Sequence, residues 1–201
     1  MADAPNFQNE MRRLLRERVI ATARELVCTE GWGAVNMSRV AKEVGVSRPV
    51  LYKEIGSKQD LAEVVIAAEL DSFLAGVTET VTAEPGDLLA GITAAAEYTL
   101  RTAADNTLLK AVLAGRSGAD TTLLPTLMTE PGPVLGRATA AFTAILRARY
   151  RLDAFSEAEI GTRVEAVVRL ALSHLFQPAG TIDHAVAQIA LVAGPLFHRD
   201  S

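Results

Sequence analysis

A single cysteine, Cys28, leaves the chain without an internal disulfide, which removes the small disulfide-stapled folds and fits a reducing compartment. Aromatic residues are scarce, 5% of the chain against 49% hydrophobic residues, so a core must be built mostly from Ala, Leu and Val. No long apolar run is present. The nearest approach, Ala185 to Phe197, falls short of the about 20 residues that span a bilayer and contains Gln188, Gly194 and Pro195. A basic, apolar leader is missing too, since the opening residues are polar up to Glu10. Charged residues at 22% sit near the globular average, which argues against wholesale disorder. The chain reads as a soluble cytoplasmic protein with no membrane partner.

Chemistry-bearing constellations are equally thin. The three histidines, His174, His184 and His198, lack H-E-x-x-H spacing and a nearby cysteine, so no metal site is expected. His174 reads as pairing with a polar group at an interface. Serines are scattered without a nucleophile-elbow pattern. Cys28 reads as a small core residue of an apolar helix. An enzyme is disfavoured, and no cofactor is called for.

Charge is present but unevenly placed. Residues 10–63 carry ten Lys or Arg against eight acidic residues, whereas the stretch from 64 onward has ten basic and fifteen acidic. A mildly basic N-terminal part joined to an acidic remainder suggests two jobs in one chain.

Helical periodicity dominates and no strand alternation is seen. Residues 8–30 place Met11, Leu14, Leu15, Val19, Ala23, Leu26 and Val27 on one side, and Gly31 stops the pattern. A short helix from Met37 to Val44 ends at Gly45, and Ser47 is placed to cap a third, with Pro49 tolerated in its first turn. Gly56 closes that helix, and Ser57-Lys-Gln-Asp60 resembles a capping box opening a long helix to about Val81. Further helices are expected at 87–104, 106–114 and 133–151. Ser156-Glu-Ala-Glu159 opens one to about Phe176, and a last helix from Ile182 is disturbed at Gly194-Pro195. The Gly- and Pro-rich segment 115–133 is the least regular and reads as a pocket lid, a dimer-contacting loop or a plain connector. The fold class is all-α with about nine helices, divided as 1–62 and 63–201.

The informative stretch is NMSRVAKEVGVSRPVLYKEIGSKQDL, residues 36–61. Two short helices joined by Gly-Val-Ser cannot bury their apolar faces alone. Val40, Ala41, Val44, Val46, Leu51 and Ile55 would pack on Leu15, Val19 and Leu26 and leave the start of the second short helix outward. A helix of this size fits the DNA major groove. Ser47, Arg48, Pro49 and Val50 would meet base edges, Arg48 through a guanine and Pro49 or Val50 through a thymine methyl. Asn36, Ser38, Arg39, Tyr52, Lys53 and Lys58 suit phosphates or their neighbourhood, and the helix start at Lys58 adds backbone donors. Glu54 either points away, pairs with Lys53 or Lys58, or accepts from a cytosine amino group. Arg12, Arg13 and Arg16 form an arm to the duplex or a solvated helix face.

From about Arg18 to Leu61 the sequence resembles the TetR family of bacterial transcriptional regulators. Carrying the resemblance are E-G-W-G at 30–33, V-A at 40–41, G-V-S at 45–47, L-Y at 51–52 and G-S-K-Q-D-L at 56–61. It departs at Glu54 and Ile55, where the family often has His or Tyr and then Phe. The resemblance implies an N-terminal DNA-binding domain, a C-terminal ligand-binding and dimerisation domain, and repression of a palindromic operator relieved by a small-molecule effector. An all-α protein-interaction module without DNA binding is the alternative.

For the second part, the 156–176 helix carries Val164, Val168, Ala171, Leu172 and Leu175, and the last helix carries Ile189, Val192, Ala193, Leu196 and Phe197. That is more apolar surface than one partner helix covers, so these residues are read as a homodimer four-helix bundle. Tyr98, Arg101, Leu109, Leu113, Phe142 and Leu146 are read as lining for an apolar or amphipathic effector. Arg116 and Arg147 are further candidates for a charged head group.

Overall fold

The computed structural model describes residues 7–106, 108 and 131–198. Among these residues the chain is all-helical, with eight α-helices, one short 3₁₀ turn and no strand. In chain order they are α1 (Phe7–Glu30), the turn Trp32–Ala34, α2 (Met37–Val44), α3 (Arg48–Ile55) and α4 (Lys58–Ala83). Then come α5 (Leu88–Asp105), α6 (Pro131–Arg149), α7 (Glu157–Phe176) and α8 (Ile182–Phe197). The helix expected at 106–114 and the irregular 115–133 segment lie largely outside the described residues.

Two compact units divide the chain at Leu70 and Asp71, so α4 begins in the first and ends in the second. In the N-terminal unit Val19, Ala23 and Leu26 of α1 are buried with Val40, Ala41 and Val44 of α2, Leu51 and Ile55 of α3, and Leu61, Ala62, Val65 and Ile66 of α4. Val46 and Leu15, expected in this core, are only half-buried. Cys28 is exposed. It lies nine residues after the fully buried Val19, which at about 100° per residue puts it on the opposite side of α1.

The tight turn between α2 and α3 is set by backbone hydrogen bonding. Gly45 takes the left-handed conformation (φ 84°, ψ 29°), and its N–H donates to the Lys42 carbonyl at 3.2 Å. The Val46 N–H donates to Ala41 at 2.9 Å, which completes a Schellman closure of α2. At the α4 start, Asp60 Oδ2 accepts from the Ser57 N–H and hydroxyl, while Ser57 Oγ accepts from the Asp60 N–H. This reciprocal cap holds the Asp60 carboxyl below its ordinary pKa.

One buried charge ties α4 to α1. Glu69 is 5% exposed and accepts from Arg24 through both Nε and Nη2. An acid inside the apolar run 64–77 is costly unless paired, and the bidentate guanidinium supplies the pairing.

In the C-terminal unit the core joins Val77 and Val81 of α4, Ile92, Ala96 and Leu100 of α5, Leu146 of α6, Val164 and Val167 of α7, and Ile189 and Ala193 of α8. Tyr150, just after α6, is buried, and its hydroxyl lies 2.8 Å from the Glu84 carbonyl and 3.2 Å from that of Val81. It thereby ties down the turn that ends α4, where the Val81 carbonyl also accepts from the Glu84 N–H at 3.3 Å. The expected capping box is present: Ser156 Oγ accepts from Glu159 N–H, and the Glu159 carboxylate accepts from the Ser156 N–H. The last helix is not interrupted at Gly194-Pro195, because Pro195 stands in its final turn and α8 runs on to Phe197. There the missing N–H removes only one terminal bond.

Candidate functional site

The candidate DNA face is built by α2, the turn and α3. Leu51 (0% exposed) and Ile55 (8%) are four residues apart and anchor one side of α3 in the core, each contributing about 1.5–3 kcal/mol. With that side fixed inward, Ser47, Arg48, Pro49, Val50, Tyr52 and Lys53 are all exposed. Val50 and Tyr52 stand 40% and 48% open. Ser47 holds the cap position of α3 but its hydroxyl makes no capping bond, contrary to the sequence expectation, and so stays available outward. Arg48 and Lys53 have no carboxylate partner among the described residues. An α-helix is about 10–12 Å across with its side chains, which fits a major groove about 12 Å wide.

Three other candidates have prior engagements. Asn36 is exposed but its side-chain oxygen caps α2 by accepting from the Arg39 N–H at 2.9 Å. Arg39 donates through Nε to Glu43 at 2.9 Å and through Nη1 and Nη2 to Glu30 at 2.8 and 2.6 Å. This fork clamps the end of α1 to α2, raises the arginine pKa above its ordinary value, and holds the Glu30 carboxyl below its own. Lys58 is half-buried, with Nζ 3.3 Å from the Trp32 carbonyl and 4.9 Å from the centre of the Trp32 ring. Ser38 is half-buried on α2. Glu54 pairs neither with Lys53 nor with Lys58: its carboxylate lies 3.5 Å from Nε of Arg12 on α1.

Known proteins share both parts. The family model described as bacterial regulatory proteins of the tetR family matches residues 19–65. The model described as the bacterial tetracyclin repressor C-terminal domain matches residues 87–195, more than half of the chain. The chain belongs to the TetR family. It is a helix-turn-helix transcriptional regulator that binds DNA. A relative along nearly the whole length is the HTH-type transcriptional regulator AlkX of Mycobacterium tuberculosis, 28% identical over 193 residues, 96% of this chain and 90% of the relative. Among solved structures, the TetR family repressor AlkX from a Dietzia strain, implicated in biodegradation of n-alkanes, superposes with a TM-score of 0.68 at 24% identity. That match covers 90% of this chain and 96% of the other. The Rhodococcus erythropolis repressor QsdR superposes at 0.57, also at 24% identity, over 90% and 95% of the two chains. The structural likenesses establish the fold.

In this TetR-family chain the second unit holds an apolar cavity of about 80 Å³ among α4, α5, α6 and α7. Phe73, Val77, Ile92, Ala96, Phe142 and Leu172 are among its walls. Of the residues read as effector lining, Phe142 is on that wall. Leu146 is instead fully buried core, Tyr98 stacks on Phe73 at 5.9 Å, and Arg101 is exposed and held by Glu97 and Asp183. Arg147 is paired with Glu157, and Leu109, Leu113 and Arg116 lie outside the described residues. Phe73, Ile92 and Ala96 were missed by sequence reasoning, since a wheel shows that they are buried but not that a hollow lies beside them.

The residues read as a dimer face divide. Val164, Ile189 and Ala193 have no exposed surface, and Leu175 is 6% exposed, so the protomer itself already covers them. Val168, Ala171 and Leu172 line the cavity. Leu196 and Phe197 are half-buried, Phe197 against Phe155, whereas Val192 is exposed at 41%. The most open apolar side chain of α8 is Leu191, 76% exposed, which was not anticipated. Nε2 of His174 is buried and has no hydrogen-bond partner among the described residues of the protomer.

Proposed function

We propose that this regulator is a homodimeric repressor that reads a palindromic operator with α3 and leaves it when a small apolar or amphipathic effector enters the C-terminal unit. The observation that carries the DNA reading is the exposed block from Ser47 to Lys53, held outward because Leu51 and Ile55 are buried. Within it Ser47 and Arg48 are the candidates for base edges, Arg48 through a guanine, Pro49 and Val50 for a thymine methyl, and Tyr52 and Lys53 for phosphates. Ser38 and the amide of Asn36 flank that block; Arg39 and Lys58 act by holding the helices that present it. The reading head corresponds to residues 1–62, and residues 63–201 carry effector binding and self-association. Catalysis has no part in this reading, and its place is the cytoplasm; no described helix is long and apolar enough to cross a membrane.

The apolar lining of the cavity supports an effector with a hydrocarbon portion, as does the n-alkane connection of the Dietzia repressor. At about 80 Å³ the hollow is below the about 300–1,000 Å³ of most ligand pockets, so entry requires α6 or α7 to give way. Because α4 belongs to both units, a shift of that helix on effector entry would change the spacing of two reading heads, about 34 Å apart on a palindrome. DNA and effector then weaken each other's binding by the same factor.

The test is selection from a random duplex library at moderate salt, with protein stripped of small molecules by unfolding and refolding. Enrichment of a palindrome by wild type and not by the Tyr52→Ala/Lys53→Ala variant is expected. Failure of the stripped wild type to enrich any sequence would overturn the reading and leave a protein-interaction module.

A further inference from the structure

We propose that α1 supplies a second DNA contact beside the reading helix, with Arg16 and Arg12 gripping the phosphate backbone that flanks the half-site. This rests on the DNA-binding reading and adds to it a surface on a different helix. The start of α1 carries Arg12, Arg13, Arg16 and Arg18 within seven residues, and the structure sorts them into different roles. Arg13 is spent locally, 2.7 Å from Glu17 and 3.9 Å from Glu10. Arg12 reaches out of its helix to Glu54 of α3. Arg16 and Arg18 have no carboxylate partner among the described residues.

Helix geometry separates these last two. Arg12, Arg16, Val19 and Ala23 follow the spacing of one line along α1. Val19 and Ala23 are fully buried, and α1 packs against α2 and α3. The same line, followed back toward the start of α1, meets α3 at the Arg12–Glu54 pair. Arg16, which is exposed, therefore stands between the buried packing and that pair, on the line of α1 that leads to the end of α3. Arg18 is turned about 100° away from Val19 and faces elsewhere.

Charge fixes the occupant. Glu54 is the one acid of α3, and left bare it would repel a phosphate backbone passing Lys53. Arg12 offsets it, so the unpaired positive charge of Arg16 adds to those of Arg48 and Lys53 in a basic strip running from α1 to α3. Such a strip suits a duplex backbone that continues past the groove read by α3, and its worth is expressed through counterion release.

The experiment follows anisotropy of a fluorescein-labelled duplex carrying the library-selected sequence, over a series of KCl concentrations. Arg16→Gln is expected to weaken binding about three- to tenfold at moderate salt and to lower the slope of log K against log[KCl] by about 0.9. Arg18→Gln should keep both affinity and slope. Arg12→Gln removes one charge and bares Glu54, so binding falls further, and Glu54→Gln added to it restores part of the loss. All four side chains are at the surface or half-exposed, and unchanged circular dichroism checks the fold. A wild-type slope for Arg16→Gln, or equal falls for Arg16→Gln and Arg18→Gln, would overturn the contact while Tyr52→Ala/Lys53→Ala still reports on the reading head. If the wild type selects no sequence at all, the DNA reading fails first and the contact with it.

Discussion

The close approach of α5 to Tyr150 gives a sharp test of how the C-terminal unit holds the end of α4. Gly91 is a buried residue inside α5, and a Cβ placed there would lie 2.0 Å from Tyr150 Oη and 2.9 Å from Cζ. By propensity alone Gly91→Ala stabilises a helix by about 1 kcal/mol. Here the ring must retreat by about 1 Å or more to restore van der Waals contact. That retreat stretches the hydroxyl contacts to Glu84 and Val81 at 2.8 and 3.2 Å, stranding a buried hydroxyl at a cost of about 1–3 kcal/mol. Overpacking adds about 1–3 kcal/mol, so the net expectation is a loss of about 2–3 kcal/mol.

Urea unfolding at 25 °C followed by circular dichroism measures this loss, with Trp32 fluorescence reporting on the N-terminal unit alongside. Tyr150→Phe alone should cost about 1–1.5 kcal/mol. Combined with Gly91→Ala it should cost at least about 1 kcal/mol less than the sum, because the atom in the way is gone. Neutral or stabilising behaviour of Gly91→Ala, or strict additivity in the cycle, would refute the claim that this glycine exists to seat the tyrosine.

The buried acid of the N-terminal unit makes Arg24→Ala more damaging than Glu69→Gln. With Arg24 about half exposed, thermal melts should show about 2 kcal/mol lost for Arg24→Ala, below the range for fully buried pairs, and about 1 kcal/mol or less for Glu69→Gln. Filling the cavity by Ala96→Leu should abolish the melting shift that wild type shows with decanol, decanoate or a similar hydrocarbon probe, with operator binding retained; a wild-type shift in that variant would move the effector elsewhere. Burial raises the Tyr150 pKa above its ordinary 10.0, so the stability contributed by its neutral hydroxyl is complete below that value and is lost as pH rises through the raised one. Tyr150→Phe should flatten that part of the alkaline limb in urea midpoints, and an unchanged limb would remove Tyr150 as its source.

Helix ends were legible because their signals are local. Gly31, Gly45 and Gly56 all take positive φ where the pattern required a stop, and the Ser57–Asp60 and Ser156–Glu159 spacings close as reciprocal caps. The exposed face of α3 was legible for a related reason: Leu51 and Ile55, four residues apart, are buried on one side of a short helix, and Arg48 to Val50, Tyr52 and Lys53 face out. Cys28 was legible and misread, since nine residues from Val19 is half a turn off the buried line. The Arg39 fork and the Arg24–Glu69 pair were not legible, because they join residues that only tertiary packing brings together.

The apolar helices α7 and α8 show where periodicity stops informing. It says that a residue needs cover, and it is silent on whether the cover is the protomer's own core, a cavity or a second copy. Val164, Ile189 and Ala193 take the first, Val168, Ala171 and Leu172 border the second, and Leu191 with Val192 are left without any. Interiors are close-packed, so a wall cannot move without its neighbours. A molecule wedged against Val168 and Leu172 therefore presses on the same helix that carries the core residues Val164 and Val167. Those two are packed with Val77 and Val81 in one core. The effector reading thus needs no long relay: the cavity already shares Val77 with α4, the helix that continues into the DNA-binding unit.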